Sequence, residues 1–564
     1  MTSRKPFLGG ALAAALNAVA SLLCSLSGEP AVAGPVPADV SDAILAAIQP
    51  EAIRADMRFL ADDLLEGRGT GTRGHLLAAQ FVAAQFESMG LAPAGDHGTF
   101  FQEVPLQSVK ANEARSSFSW ANVGTTESLK FREDYILYGD PGRDDSQVTA
   151  QIIFVGYGIT APDQNYDDYK NIDVTGRIAA MVFGAPGFPS AVKAHYSASW
   201  LKRKNAAAHG AAGVLIFYDP RLESLYPFAK QVRDLAIPRF NWLDAAGTPD
   251  HYYSALKTVG SVSMAAVKRL LSGSGHTAEE IYDGVKVGKL ATFPLSGTAE
   301  IRTLTRRALL HSPNVVAKLE GSDPKLSGEL VVYTAHLDHL GISTPVNGDS
   351  IYNGALDNAS GAAEVLEIAR AFSRMPDKPP RSVLFIEVTA EEAGLLGSDY
   401  FASNPTVPRT SIVADINIDE DLMLWPLRDV VALGAEHSTL DGIVHRAAER
   451  LRLTVSPDPA PEQVAFVRSD QYSFVRQGIP SLALTAGFRA DDPNLKPAEI
   501  FENWYAHFYH QPQDDMLQPG LNFDAATLFA RVGFLCGLYV AQDSERPRWN
   551  SGDFFGTAFA NSQQ

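Results

Sequence analysis

The sequence predicts an α/β fold: a mainly parallel mixed sheet with helices on both faces, and a smaller α/β unit inserted into the chain. Three observations predict it. From Glu329 onward, short apolar runs alternate with segments of helical period, the pattern of strands joined by crossover helices. A separate group of such runs lies between about Gln147 and Glu300 and has no cluster of acids and histidines of its own. At 564 residues the chain exceeds what one hydrophobic core organises, so two or three domains are expected.

The elements follow in order. Residues 1–33 read as a signal peptide: Arg4 and Lys5, the apolar run "FLGGALAAALNAVASLLCSL", then "AVA" ending at Ala33 as a small-x-small cleavage site. The run is just long enough to span a membrane as an anchor, but the small-residue site at the expected distance favours cleavage. Bulky Leu23 before Cys24 argues against a lipoprotein. The expectation is export to the periplasm or beyond, with no stable membrane association after cleavage. Cleavage leaves Cys536 as the only one of two cysteines, so no intramolecular disulfide forms. Cys536 sits in "RVGFLCGLYVA" and is predicted to be a core residue. A formal charge of −18 argues against a nucleic-acid surface.

"SDAILAAIQPEAIRADMRFLADDLL" carries apolar residues at helical spacing, broken by Pro50. "EGRGTGTRG" lacks a G-x-x-x-x-G-K-[ST] pattern and a preceding buried strand, so it reads as a structural turn rather than a phosphate loop. "HLLAAQFVAAQFESMG" is a helix that Gly90 can cap. In the middle unit "TAQIIFVGYGI", "GRIAAMVFGAP" and "AGVLIFYDP" read as strands and "SWLKRKNAAAHGA" as a helix. Further on, "ELVVYTA", "SVLFIEVTA", "TSIVADINI" and "PSLALTA" are strands. "SGAAEVLEIARAF", "LDGIVHRAAERL" and "DAATLFARVGFLCGLYVA" are helices. No internal repeat is present.

The residues able to do chemistry collect at the strand ends. His336 and Asp338 follow "ELVVYTA", and Asp357 sits in the turn before a helix. Glu391 and Glu392 follow "SVLFIEVTA", Asp419 ends "VADINID", and His510 lies in "YHQPQDD". In open α/β sheets the carboxyl edge is where ligands bind. Each residue alone has a bland reading: a histidine after a strand is commonly hydrogen-bonded surface, and an acidic pair suits a solvated helix start. Together they form a ligand set. Imidazole with carboxylate oxygen suits zinc, with other first-row divalent metals possible. One catalytic zinc needs three protein ligands; five candidates with a spare glutamate suit two ions roughly 3.5–4 Å apart sharing a carboxylate. The sequence has no HExxH helix and no G-x-S-x-G elbow.

"AHLDHLG", "NGALDNASG", "EEAGLLGS", "NID", "SDQYSFVRQGIPSLAL" and "YHQPQD", in this order, resemble the consecutive signatures of the secreted di-zinc aminopeptidases. These leucine-aminopeptidase-like zinc exopeptidases are related to glutamate carboxypeptidase, the glutaminyl cyclases and the transferrin-receptor ectodomain. "GYGI" and "NYDDYKNIDVTGRIAAMV" resemble the protease-associated domain found inside such enzymes. The resemblance implies an N-terminal catalytic part over 34–130, an inserted protease-associated-like domain over 131–300, the remaining catalytic domain over 301–548, and a tail over 549–564. It implies that His336 and Asp419 hold one zinc, Glu392 and His510 the other, and that Asp357 bridges both. Asp338 would orient His336 by a hydrogen bond. Glu391 would be the general base and later the proton donor, and Tyr509 would stabilise the oxyanion. His339, Asp470 and Asp514 are expected to support the site without being ligands. Two departures stand out: Leu356 precedes Asp357 where many members have a polar residue, and Glu420 and Asp421 follow Asp419 where a methionine is common.

The resemblance therefore implies an exported metallo-aminopeptidase acting on peptides with a free N-terminus. A glutaminyl cyclase uses one zinc on this scaffold, and the full ligand set weighs against it. An acidic-dipeptide carboxypeptidase requires basic groups in the substrate pocket, and a non-catalytic receptor would have lost ligands.

Overall fold

A computed structural model describes residues 41–122 and 124–559; the leader-like residues 1–33 and the end of the tail lie outside the described residues. Pro50 starts a helix: a single turn over Asp42–Leu45 ends, and α1 (Pro50–Leu60) opens with proline where no amide hydrogen is needed. In α2 (Arg73–Ser88) the Thr72 side chain caps the first turn by accepting from the His75 amide. β1 (Phe101–Ala111) then leads into the inserted unit.

That unit contains β2 (Asp145–Phe154), β3 (Ile178–Met181), α3 (Ser190–Ser197), α4 (Ser199–Ala208), β4 (Gly213–Phe217), β5 (Arg239–Trp242) and β6 (Val259–Val262). β2, β3, β4 and β6 pair in parallel in that order, while β5 pairs antiparallel with β1. The unit has its own core, drawn from Phe118 and Trp120 through Ile301. β7 (Phe293–Leu319) belongs to both sheets. Its first half alternates buried and exposed residues and pairs with β2; its second half pairs antiparallel with β1, from Thr305 opposite Ala111 to Val315 opposite Phe101.

The remaining chain forms β8 (Leu330–His336), α5 (Ser360–Ser373), β9 (Ser382–Val388), α6 (Leu396–Ser403), β10 (Ile412–Ile418), β11 (Asp429–Leu433), α7 (Leu440–Arg450), α8 (Gln471–Val475), β12 (Ser481–Ala486), α9 (Pro497–His507), α10 (Phe523–Gln542) and α11 (Phe554–Phe559). The spatial order is β11-β12-β10-β8-β9-β7-β1-β5, with β12, β10, β8 and β9 parallel and the flanking strands antiparallel. Every residue of β8, β9 and β10 is buried. Two-sided burial explains why these strands read as continuous apolar runs instead of alternating. Val331, Tyr333 and Phe385 pack on one face with α5 and α10; Val332, Leu384 and Ile386 pack on the other with Phe401 of α6 and Phe474 of α8. The fold is thus the mainly parallel α/β sheet that the sequence predicts. α10 is the one helix among the described residues long and apolar enough to span a membrane, and most of it, Cys536 included, is core.

β8 is followed by β9 on one side and, one crossover later, by β10 on the other. The loops after β8 and β10 therefore diverge from a common point, leaving a crevice above their carboxyl ends.

Candidate metal centre

His336 ends β8 and is 1% exposed. Its Nε2 lies 3.2 Å from Asp357 Oδ1 and 3.2 Å from Asp419 Oδ1. Asp357 Oδ2 faces the other way, 3.2 Å from His510 Nε2 and 3.9 Å from His339 Nδ1. Glu392 completes this second group: Oε1 is 2.6 Å from His339 Nδ1 and Oε2 is 3.0 Å from His510 Nε2. The ligand atoms of His336, Asp357 and Asp419 converge, as do those of His339, Asp357 and Glu392, with Asp357 common to both groups.

Local structure fixes each ligand. The Leu356 and Asp357 amides donate to the two oxygens of Asp514, at 2.9 and 3.0 Å. Asn358 next to it donates to the Ile418 carbonyl at the end of β10 (3.0 Å) and accepts from the Gly361 amide (3.0 Å). "LDNASG" thus couples the Asp357 turn both to α5 and to the strand that delivers Asp419. Ser469 donates to Asp419 Oδ2 at 2.5 Å. Glu391 is held through its own amide, which donates to Asp338 Oδ1 at 3.0 Å.

The electrostatics are those of carboxylates packed for a cation. Burial opposes a charged Glu392, but His510 and His339 bring it down to about 2. Burial likewise opposes charge on Asp357, which His336 and His510 pull well below the usual range. Burial raises Glu391 well above its ordinary value, with Asp419, Asp470 and Glu392 adding to the rise and His336 opposing it. Asp357 Oδ2, Glu392 Oε1 and His339 Nδ1 are buried without an aligned hydrogen-bond partner. Donor atoms left unsatisfied and converging in this way fit divalent ions, and the mixed imidazole and carboxylate set fits zinc.

Two cavities meet here. The smaller, about 140 Å³, is lined by His336, Glu391 and Asp419 and by apolar residues that include Leu422, Leu433, Phe488 and Phe501. The larger, about 520 Å³, shares Glu391, Arg468, Tyr509 and His510 with it and takes much of its wall from the inserted unit.

Residues 314–531 match the profile of peptidase family M28. This segment has the pattern of an M28 peptidase domain. The M28 segment holds every ligand named above. The chain is 25% identical over 308 residues to vacuolar protein sorting-associated protein 70 of Saccharomyces cerevisiae, covering 48% of this chain and 35% of the relative. It is also 25% identical over 314 residues to aminopeptidase NAALADL1 of Rattus norvegicus, covering 48% and 37%. The chain therefore spans little more than a third of the length of these relatives. The solved aminopeptidase from Aneurinibacillus sp. strain AM-1 shares the fold, with a TM-score of 0.51 at 20% identity, covering 90% of this chain and 96% of that one.

Within the M28 segment, His336, Asp357, Glu392, Asp419 and His510 come together with Glu391 beside them. Asp338 departs from its expected role. His336 Nδ1 donates to the Asp338 backbone carbonyl at 3.0 Å, while the Asp338 carboxylate is 3.9 Å away. That carboxylate is turned to the Glu391 amide and to the Thr70 hydroxyl, which donates at 3.1 Å. Tyr509 stacks on the His510 ring at 3.9 Å, and its hydroxyl accepts from Arg468 at 3.5 Å. His339 comes closer to the second ligand group than a supporting role implies. Asp514 has the supporting role expected, and buried Asp470 directly precedes α8. Glu420 lines the smaller cavity, and Asp421 is buried.

Sequence reasoning missed Arg68. It is fully buried, and its guanidinium donates to the carbonyls of Leu337 (2.8 Å), Asn353 (2.6 Å) and Gly354 (2.9 Å), and also to Leu60. It ties together the loops bearing His336, His339 and Asp357. Burial lowers it to about 10, and Asp338, Asp514, Asp357 and Glu392 oppose the drop. In "EGRGTGTRG" the turn places Glu66 and Arg68 at positive φ, and nothing in that stretch of sequence marks the distant carbonyls as partners.

Proposed function

We propose that the protein is an exported di-zinc metallo-aminopeptidase that removes N-terminal residues from peptides, with Glu391 as general base. The observation that carries this reading is the pair of converging ligand groups sharing Asp357, with a glutamate beside them that belongs to neither. His336, Asp357 and Asp419 would hold one ion, and Asp357, Glu392 and His510, with His339, the other. When bound, divalent ions supply Lewis acidity toward water and a peptide carbonyl.

The chain's own residues do the rest. Glu391 faces both cavities, and its backbone is anchored by Asp338, so its carboxylate can take a proton from water and return it to the departing amine. Arg468 and Tyr509 place donors on the same space, where charge develops on the carbonyl oxygen. The smaller, apolar cavity suits the side chain of the N-terminal residue, and the larger one takes the rest of the peptide. Acidic groups around the centre favour a free α-amine. Export rests on the leader-like residues 1–33, and the inserted unit is read as a protease-associated domain. Peptides are the partners of this reading, not nucleic acids.

The test is hydrolysis of aminoacyl-nitroanilides before and after chelation and zinc return. The expected result is chelator-sensitive release, restored by zinc and favouring apolar residues. Glu391→Gln is expected to lower kcat by about 10²–10⁴-fold while both ions remain bound. No release from any free-amine substrate by protein holding two metals would sink the reading.

A further inference from the structure

The larger cavity carries charge of an unexpected kind for a chain with a formal charge of −18. Besides Glu391, Glu392 and His510, its wall includes Arg203 from α4 and Arg239 from β5, both contributed by the inserted unit. Neither guanidinium forms an ion pair or a side-chain hydrogen bond with a described residue. Arg203 Nε is sealed from solvent with no acceptor. The Arg239 guanidinium lies over the Tyr138 ring at 3.6 Å.

The nearby acids are already engaged. Asp140 accepts from Arg143 at 2.9 Å. Asp250, whose field reaches Arg203, accepts from Asn241 at 3.1 Å. Asp399 accepts from Arg476 at 2.5 Å and from Trp242 at 3.0 Å. Two neighbouring cations, one of them largely desolvated, are costly to hold together unless an anion joins them. Burial, with Arg239 adding to it, pushes the Arg203 guanidinium below its ordinary value. A planar guanidinium fork matches a carboxylate. The cavity that holds these arginines also reaches two of the proposed ligands, Glu392 and His510.

We propose that Arg203 and Arg239 form a carboxylate-binding subsite that receives the C-terminal carboxylate of a short peptide whose N-terminal residue lies at the metal centre. This rests on the aminopeptidase reading above and narrows it to short peptides with a free C-terminus. The inserted unit then acts as a measuring wall, selecting peptides by length as well as by their first residue.

The experiment uses the zinc-loaded full chain and three peptide ladders of increasing length, each beginning with Leu and extended by Ala. One ladder ends in a free carboxylate, one in an amide, and one in Glu-amide. The readout is the ratio of kcat/KM for free acid to amide at each length. The expected result is a ratio of at least ~10, or about 1.4 kcal/mol, peaking at one length. Arg203→Ala and Arg239→Ala each bring that ratio towards one, Arg203→Lys keeps part of it, and Lys204→Ala, on the exposed face of α4, keeps all of it. Arg239 is exposed, so Arg239→Gln keeps the test readable if Arg203→Ala does not fold. A wild-type ratio near one at every length overturns the proposal, as does a ratio unchanged in both arginine variants. Preference for Glu-amide without preference for the free acid overturns the C-terminal assignment in favour of an acidic side chain. Nitroanilide cleavage without peptide discrimination defeats only the subsite, whereas failure on every free-amine substrate defeats the aminopeptidase reading itself.

Discussion

At the scale of single residues, the candidate ligands were legible because most lie in short motifs at strand ends, where the chain itself brings acids and imidazoles to one edge. Arg68 and Thr70 were not legible, because their partners at the site lie 268 to 286 residues away and no local pattern marks such contacts. His339 was undervalued for a different reason. Its spacing from His336 suggested support, and only the folded loop shows its Nδ1 at 2.6 Å from Glu392. His339→Ala is therefore expected to weaken binding of the second ion by about 10–100-fold, while binding of the first changes less. Stepwise zinc titration of stripped protein checks this. Arg68→Gln removes donors to carbonyls in the loops after β8 and before α5 and leaves buried acceptors unpaired. It is expected to cost about 3 kcal/mol or more, read from denaturant unfolding.

Secondary-structure elements explain why the site tolerates so little change. α5 begins four residues after Leu356 and rests against the end of β10. A Cβ on Gly361 would press on the Asn358 side chain and on the Ile418 carbonyl at 2.5 Å. Gly361→Ala is therefore expected to destabilise the protein by about 1–3 kcal/mol and to displace Asp357 and Asp419 together, seen as lost metal and lost activity in soluble protein. α3 carries a second test. His195 is 7% exposed, and its Nδ1 is hydrogen-bonded to the Tyr472 hydroxyl of α8 at 2.5 Å, joining the inserted unit to the matched segment. Burial lowers His195 to about 4, with Arg476 and Lys204 adding to the drop and Asp163 opposing it. A histidine depressed in the folded state contributes stability above its unfolded value of about 6.5 and loses it as the pH falls towards 4. The loss is about 3 kcal/mol. Unfolding free energies compared with His195→Asn, which does not titrate, should show wild type losing that margin between pH 6.5 and 4. Strands β8, β9, β10 and β12 are legible in the sequence, since burial on both faces leaves continuous apolar runs, whereas β1 and β7, which are exposed along part of their length, carry no such run and are not. The docking of α3 onto α8 is not legible either, because a buried histidine and a buried tyrosine look like any other core pair.

For the whole molecule, the candidate metal centre concentrates Asp357, Glu391, Glu392, Asp419 and Glu420 within a chain that is already acidic. Ions that bind only the folded state stabilise it by mass action, about 2.7 kcal/mol at a hundredfold excess over Kd. Zinc added to stripped protein is thus expected to raise Tm by several degrees, and the rise should depend on zinc concentration. A Tm indifferent to zinc in calorimetry would contradict a folded-state metal centre. The joint between the two sheets is a different matter. The chain enters and leaves the inserted unit along β1 and β7, which are hydrogen-bonded to each other along Phe101–Ala111 and 305–315 without a glycine in either strand over that span, and β5 returns from the inserted unit to pair with β1. Mechanically this is a torsion bar with no hinge pin. Any breathing of the larger cavity is spread over the ribbon as twist, so the wall bearing Arg203 turns about one axis and cannot swing freely away from the metal ligands.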